Sequence, residues 1–295
     1  MKVKKLFFAF FLVCLFASKA YCLEWQKIHE MSEGMAVKPA EEKARLSKNS
    51  LDDLYLLGLV YLNEYEEEKA LVAFSKMLKV DKDSIEARWG KAEVLRRQYD
   101  LDQSQSLLRE IIENNPGFSP AYISLAYIKY NLRDYRETAR LALVVIKQDK
   151  DKVDLSNRAR AYLIYGGAKG MIAHFGGPID KIIHGTQVMP NIKRAQEIRP
   201  DTAEVYFGLG VFYLLAPPIA GGNINKAKDY LEKSIQRDPK FADSYVRLAQ
   251  LYKFQGDMYK YKQYLDKALE LDPKSFLAKD IQSRACNFIC IEEKK

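Results

Sequence analysis

The sequence predicts an all-α solenoid of about six helix–turn–helix units. Three observations predict it. Residue types recur every 34 positions from Leu51 onward, the length of two antiparallel helices with their turns. Proline follows the last apolar residue of a helical stretch, as in the Leu-Asp-Pro at 271–273, and so acts as a stop signal. No segment shows the bounded two-residue alternation of a strand.

The chain opens with a Lys-rich start, an apolar run from Leu6 to Ala17, and no acid before Glu24. This reads as a secretory signal peptide over 1–22, so the protein is expected to be exported, to a periplasm or beyond, with no membrane association expected beyond that segment. Cleavage after Ala20 and after Cys22 both satisfy the small-x-small rule. Lys19-Ala20-Tyr21 is a poor setting for lipid attachment at Cys22. The formal charge of +8 includes four lysines of this segment; without them 43 bases face 39 acids, leaving +4. No block of like charges and no basic-aromatic cluster remains, which argues against nucleic acid as a partner.

One helix is expected over 23–50, and three regular units follow at 51–84, 85–118 and 119–152. In these, a small residue recurs as Gly58, Ala92 and Ala126. A second small or polar residue follows as Ala70, Ser104 and Thr138, then a core residue as Phe74, Leu108 and Ala142. Small residues let two helices approach, and large ones fill the space between units. The sixth unit, 242–275, is the most regular, and a capping helix is expected over 276–295.

The sixth unit resembles the tetratricopeptide repeat, whose pattern is met by Tyr245, Leu248, Ala249, Tyr252, Leu265, Ala268 and Pro273. The resemblance extends over 51–275. It implies a right-handed superhelix whose concave face is lined by the first helix of each unit.

Units four and five, 153–202 and 203–241, break the period. Each is expected to carry an enlarged turn: Gly176, Gly177 and Pro178 in one, Pro217, Pro218, Gly221 and Gly222 in the other. GGPIDKI and GGNINKA are nearly the same phrase, and a kink is expected at Pro190. The first helix of unit five, FGLGVFYLLAPPIAG, is apolar nearly all round and must be buried in its neighbours or around a ligand path.

No nucleophile elbow, zinc-binding helix motif or phosphate loop is present, so no enzyme, cofactor or metal is expected. His29, His174 and His184 are too scattered to ligate a metal by local spacing. Cys286 and Cys290 allow a short-loop disulfide in an oxidising compartment, or two free thiols near the end of the chain.

Placing the first helices in register puts Tyr55, Asn63, Trp89, Arg97, Tyr127, Tyr130 and Asn131 on the concave face. Rings and amide or guanidinium donors there suit a protein or peptide partner, or an apolar ligand. The competing reading is that several of these rings are core between units. The family's clamp for C-terminal carboxylates falls on Tyr55, Leu59, Gly90, Pro120 and Ser124, which lack the required charges. Finally, APPIAGGNINKAKDYLEKSI resembles the enlarged hairpin of periplasmic proteins similar to the T component of TRAP transporters. That likeness implies association with a solute-binding protein and a path for a small ligand.

Overall fold

The structure, a computed structural model, describes residues 24–289; the expected signal peptide and Cys290 lie outside them. Fifteen α-helices and two short 3-10 turns make up the described chain, with no strand among these residues.

Instead of one N-terminal helix there are two, α1 (Trp25–Ser32) and α2 (Val37–Leu46). Gly34, at φ +74°, breaks the chain between them. Six helix pairs follow. They are α3 (Leu51–Asn63) with α4 (Glu67–Val80), α5 (Ile85–Arg97) with α6 (Leu101–Asn114), and α7 (Ser119–Asn131) with α8 (Tyr135–Lys147). The next are α9 (Leu155–Phe175) with α10 (Pro178–Ile198), α11 (Ala203–Leu215) with α12 (Ile224–Arg237), and α13 (Ala242–Phe254) with α14 (Met258–Leu271). The last helix is α15 (Phe276–Ser283).

Local chemistry explains the boundaries. Ser50, Ser84, Asp100, Asp134, Asp154, Asn223 and Asp257 each accept a backbone N–H of the first turn that follows. The small-to-large spacing is used as ridge and groove. A Cβ built on Gly58 would sit 2.4 Å from the Phe74 ring, and one on Gly90 would sit 2.5 Å from it. Phe74, fully buried, is thus clamped between its own unit and the next. Within the fifth pair, a Cβ built on Gly210 would likewise sit 2.7 Å from the Leu231 side chain.

The two Gly-rich phrases fold differently. Gly176–Gly177 is a two-residue turn: Pro178 starts α10 at once, and Asp180 accepts the Gly177 N–H at 3.2 Å. The extra length of unit four lies in its helices, 21 residues each, rather than in an enlarged turn. α10 runs on through Pro190 without a break. In unit five the turn is enlarged: Pro218–Ala220 forms a 3-10 turn and Gly221 takes φ +96°. A Cβ on Gly222 would lie 1.9 Å from the Ala216 carbonyl oxygen, so only glycine fits there.

The expected C-terminal helix ends early, at Arg284 in a left-handed conformation. The following tail is held by Asp280, which accepts the backbone N–H groups of Asn287 and Phe288 at 2.9 Å. Cys286 is in a disulfide.

The superhelix closes on itself. Tyr65, in the turn of the first pair, donates its hydroxyl to Asp238, and Lys240 reaches Glu64 at 2.9 Å to its carbonyl and 3.2 Å to its carboxylate. Thirty-four residues on, Tyr99 donates to Asp272, and Lys274 reaches the Gln98 carbonyl at 3.2 Å. At the third turn, Arg133 reaches Asn287 of the tail. The turns of pairs one to three therefore rest on the ends of pairs five and six and on the tail.

Candidate functional site: the interior chamber

Closure turns the concave face into a chamber of about 1350 Å³, lined by residues of all six pairs, α1 and the tail. Its two ends are occupied by the chain's own segments. α1 lies across the concave surface of the first three pairs. Trp25 packs edge-on against Phe118 at 5.1 Å, and His29 sits 5.4 Å from the Trp89 ring. The His29 imidazole bonds the Tyr55 hydroxyl at 2.7 Å. Burial holds the His29 pKa down at about 4, so the ring is neutral at ordinary pH. At the other end, Arg247 and Gln250 both donate to the Ile289 carbonyl, at 3.3 and 2.8 Å. Phe288 stacks on Tyr130 at 6.3 Å.

These seats determine the fate of the residues read as groove-lining. Tyr55 is fully buried and does not reach the chamber. It is core, because α1 covers it. Trp89 borders the chamber but is only 7% exposed, donating its indole N–H to Ser124 at 3.1 Å. Asn63 spends its amide on the Ser32 carbonyl at 3.1 Å, and Arg97 donates to the Leu62 carbonyl at 2.6 Å and to Glu93 at 3.1 Å. Tyr127 and Asn131 line the chamber, the former beneath the Arg96 guanidinium at 5.3 Å. Tyr130 lines it too, against Tyr135 at 5.4 Å. Most of the expected peptide donors are thus already paired within the chain.

The open part of the wall comes from α9, α10 and α11. Leu163, Met171, Ile192, Phe207, Val211 and Phe212 give it an apolar surface. Gly167 and Gly170 of α9 also face it; a Cβ on either would meet only ordinary contacts, at 3.7 and 3.6 Å. Their absent side chains leave room. Pro217 and Ala220 of the unit-five turn, and Ile182 near the start of α10, border the same space. Gly176, Gly177, Pro178, Pro218, Gly221 and Gly222 do not line it; they shape the two turns beside it.

Charges in the chamber are largely compensated. Arg96 and Arg97 hold the Glu93 carboxyl well below the usual carboxylate range against the opposing effect of burial. Arg160 bonds Glu204 at 3.1 Å. Asp243 has no such bond, and burial pushes its carboxyl up to about 6 despite Arg247 nearby. Of this wall the sequence reading singled out only α11, as an apolar helix buried in its neighbours or around a ligand path; the parts from α9 and α10 escaped it, although the GGAKG of α9 was a signal. Among the described residues no group of three or more His, Cys, Asp or Glu is placed to hold a metal.

Comparison with known proteins agrees with this architecture. The tetratricopeptide repeat profile matches residues 219–241 and 242–275. The human tetratricopeptide repeat protein 21B is 22% identical over 189 residues, 64% of this chain; the aligned region spans only 13% of that longer protein. A tetratricopeptide repeat protein from Parabacteroides merdae superposes with a TM-score of 0.52 at 14% identity, covering 89% of this chain and 99% of its own. The APC/C hetero-tetramer Cut9–Hcn1 gives 0.54 at 17% identity, over 88% of this chain and 47% of the matched chain. The fold is the tetratricopeptide-repeat superhelix, an architecture that presents concave surfaces for interaction.

Proposed function

We propose that this tetratricopeptide-repeat chain is an exported binding protein that holds an extended, apolar small molecule in its interior chamber. One observation carries the reading: the clasped superhelix encloses an apolar wall built from α9, α10 and α11, while α1 and the C-terminal tail fill the surfaces where a peptide would lie. A concave space with a largely apolar wall and its charged groups mostly paired with one another is a suitable form for a small-molecule site, and at about 1350 Å³ this one has room for an extended molecule. The segment over 1–22 supports export and a place in the cell envelope.

A second reading is favoured by the two Gly/Pro turns beside the chamber: a transport accessory, similar to the T component of TRAP transporters, that docks a solute-binding protein and passes it the ligand. Protein partners then dock on the outer surfaces, since the concave face is enclosed.

The test is to purify the exported chain from its own cell envelope, extract it with organic solvent and identify what is released by mass spectrometry. The proposal expects one class of apolar molecule in near-stoichiometric yield, depleted from a Gly167→Leu variant. A protein partner that competes with α1 for the Trp89 surface, with no extractable ligand, would replace it with the peptide-binding scaffold.

A further inference from the structure

Intra-repeat turns of successive units lie side by side along one edge of such a superhelix. In pairs one to three that edge is covered, by Asp238 and Lys240, by Asp272 and Lys274, and by Asn287. In pairs four to six it is bare and strongly apolar. Ile179 is 72% exposed, Ile182 69%, Ile183 52%, Ile219 97%, Met258 52% and Tyr259 80%. Isolated exposed apolar residues need no explanation, but half a dozen along one edge do. Three of the four isoleucines fall at i, i+3 and i+4 on α10, so they form one strip.

The charge on this edge has one sign available. Asp180 is occupied by the Gly177 N–H, and Asp257 caps α14 by accepting the Lys260 N–H at 3.0 Å. Lys181 and Lys226 are exposed and in no ion pair among the described residues; Lys226 lies over the Tyr213 ring at 5.3 Å. The strip is continuous with the apolar interior, since Ile182, Pro217 and Ala220 border both.

We propose that the edge formed by the turns of pairs four to six rests on an anionic lipid surface, with the chamber opening toward it. Branched apolar side chains flanked by lysines are the composition that seats a protein in a bilayer interface. No helix of the described residues is long and apolar enough to cross a membrane, so contact is made by this edge alone. The inference rests on the chamber reading: an apolar ligand of low water solubility is exchanged most directly at a lipid surface. A folded protein partner is the alternative occupant and an outcome of the test.

The experiment is co-sedimentation of the exported chain with phosphatidylcholine vesicles, with and without phosphatidylglycerol. The wild-type chain is expected to sediment with both and more with the anionic vesicles. An Ile179→Asp/Ile183→Asp/Ile219→Asp variant is expected to lose binding roughly tenfold or more, with unchanged thermal midpoint and unchanged uptake of an apolar fluorophore. Lys181→Glu with Lys226→Glu is expected to remove only the preference for anionic lipid. A wild-type chain that stays in the supernatant with both vesicles, or a triple-aspartate variant that sediments like wild type, overturns the proposal, and crosslinking of this edge to a protein in the absence of vesicle binding assigns it to that protein. Fluorophore uptake without vesicle binding leaves the chamber standing, whereas loss of uptake in wild type brings down the chamber itself.

Discussion

The Tyr65 hydroxyl donates to the Asp238 carboxylate 173 residues away, and Tyr99 donates to Asp272 across the same separation. Tyr65, Tyr99 and Arg133 occupy equivalent turn positions and all three have positive φ, at 60°, 67° and 64°. The corresponding residue of the sixth pair is Gly256, at φ +81°. Glycine takes that conformation at no steric cost, whereas the other three are strained and retain side chains that reach across the closure. Burial and the Asp238 carboxylate together push the Tyr65 phenol far above its usual range, so it remains a hydrogen-bond donor.

Removing both hydroxyls, Tyr65→Phe with Tyr99→Phe, keeps the rings and the backbone strain and deletes only the bonds. Tyr65 is half-buried and Tyr99 more deeply so, and the expected cost is about 1 kcal/mol per bond. The radius of gyration from small-angle scattering should increase as the superhelix opens, and the chamber should lose affinity for its ligand.

The glycines divide into two kinds with opposite predicted effects. Gly58→Ala drives a methyl into the Phe74 ring and is expected to destabilise by about 1–3 kcal/mol. Gly167→Ala meets nothing closer than 3.7 Å and removes a glycine from the middle of a helix. It should stabilise by about 0.5–1 kcal/mol. Urea midpoints of the two variants would show the difference in sign.

Trp89 supports α1. Trp89→Ala is expected to cost about 3–5 kcal/mol and to release α1 first, seen as early proteolytic cutting between α1 and α3. If the segment stayed protected, the Trp25, His29 and Phe118 contacts would be holding α1 without it.

Buried His29 and half-buried Asp243, at the chamber wall, give opposite pH slopes. His29 has a folded pKa of about 4 against 6.5 unfolded, so the unfolded chain binds more protons between these values. Stability is present above pH 6.5 and is lost as pH falls toward 4, by up to about 3 kcal/mol. Asp243 is raised from 3.8 to about 6, so it gains stability as pH falls over nearly the same window. Asp243→Asn should therefore steepen the loss of stability between pH 6.5 and 4, and His29→Leu should flatten it, as measured by denaturation midpoints against pH.

Much of the fold could be read in advance, because each repeat states its packing locally. The 34-residue step, the small residues at 58, 92 and 126, and the terminating prolines all act within one unit or its neighbour. The chamber was less legible, because its shape depends on contacts between residues far apart in sequence. Nothing near Tyr65 signals that Asp238 will meet it, and nothing near Trp89 signals that α1 will lie on it. The two GG phrases show the same limit in miniature. Pro178 beside Gly177 allows a helix to start at once, while the Pro217-Pro218 ahead of Gly221 forces a longer route. That second, longer turn borders the chamber through Pro217 and Ala220.

The central claim is that the clasped interior takes up an apolar ligand at the α9–α11 wall. The most direct measurement is a titration of the exported chain with a neutral fluorophore that brightens in apolar surroundings. It would be compared with a Gly167→Leu/Val211→Trp variant of unchanged thermal midpoint. Saturable binding by the wild-type chain, weakened roughly tenfold or more by the filled wall, is the predicted result. Equal binding by both proteins, or none by either, would contradict it.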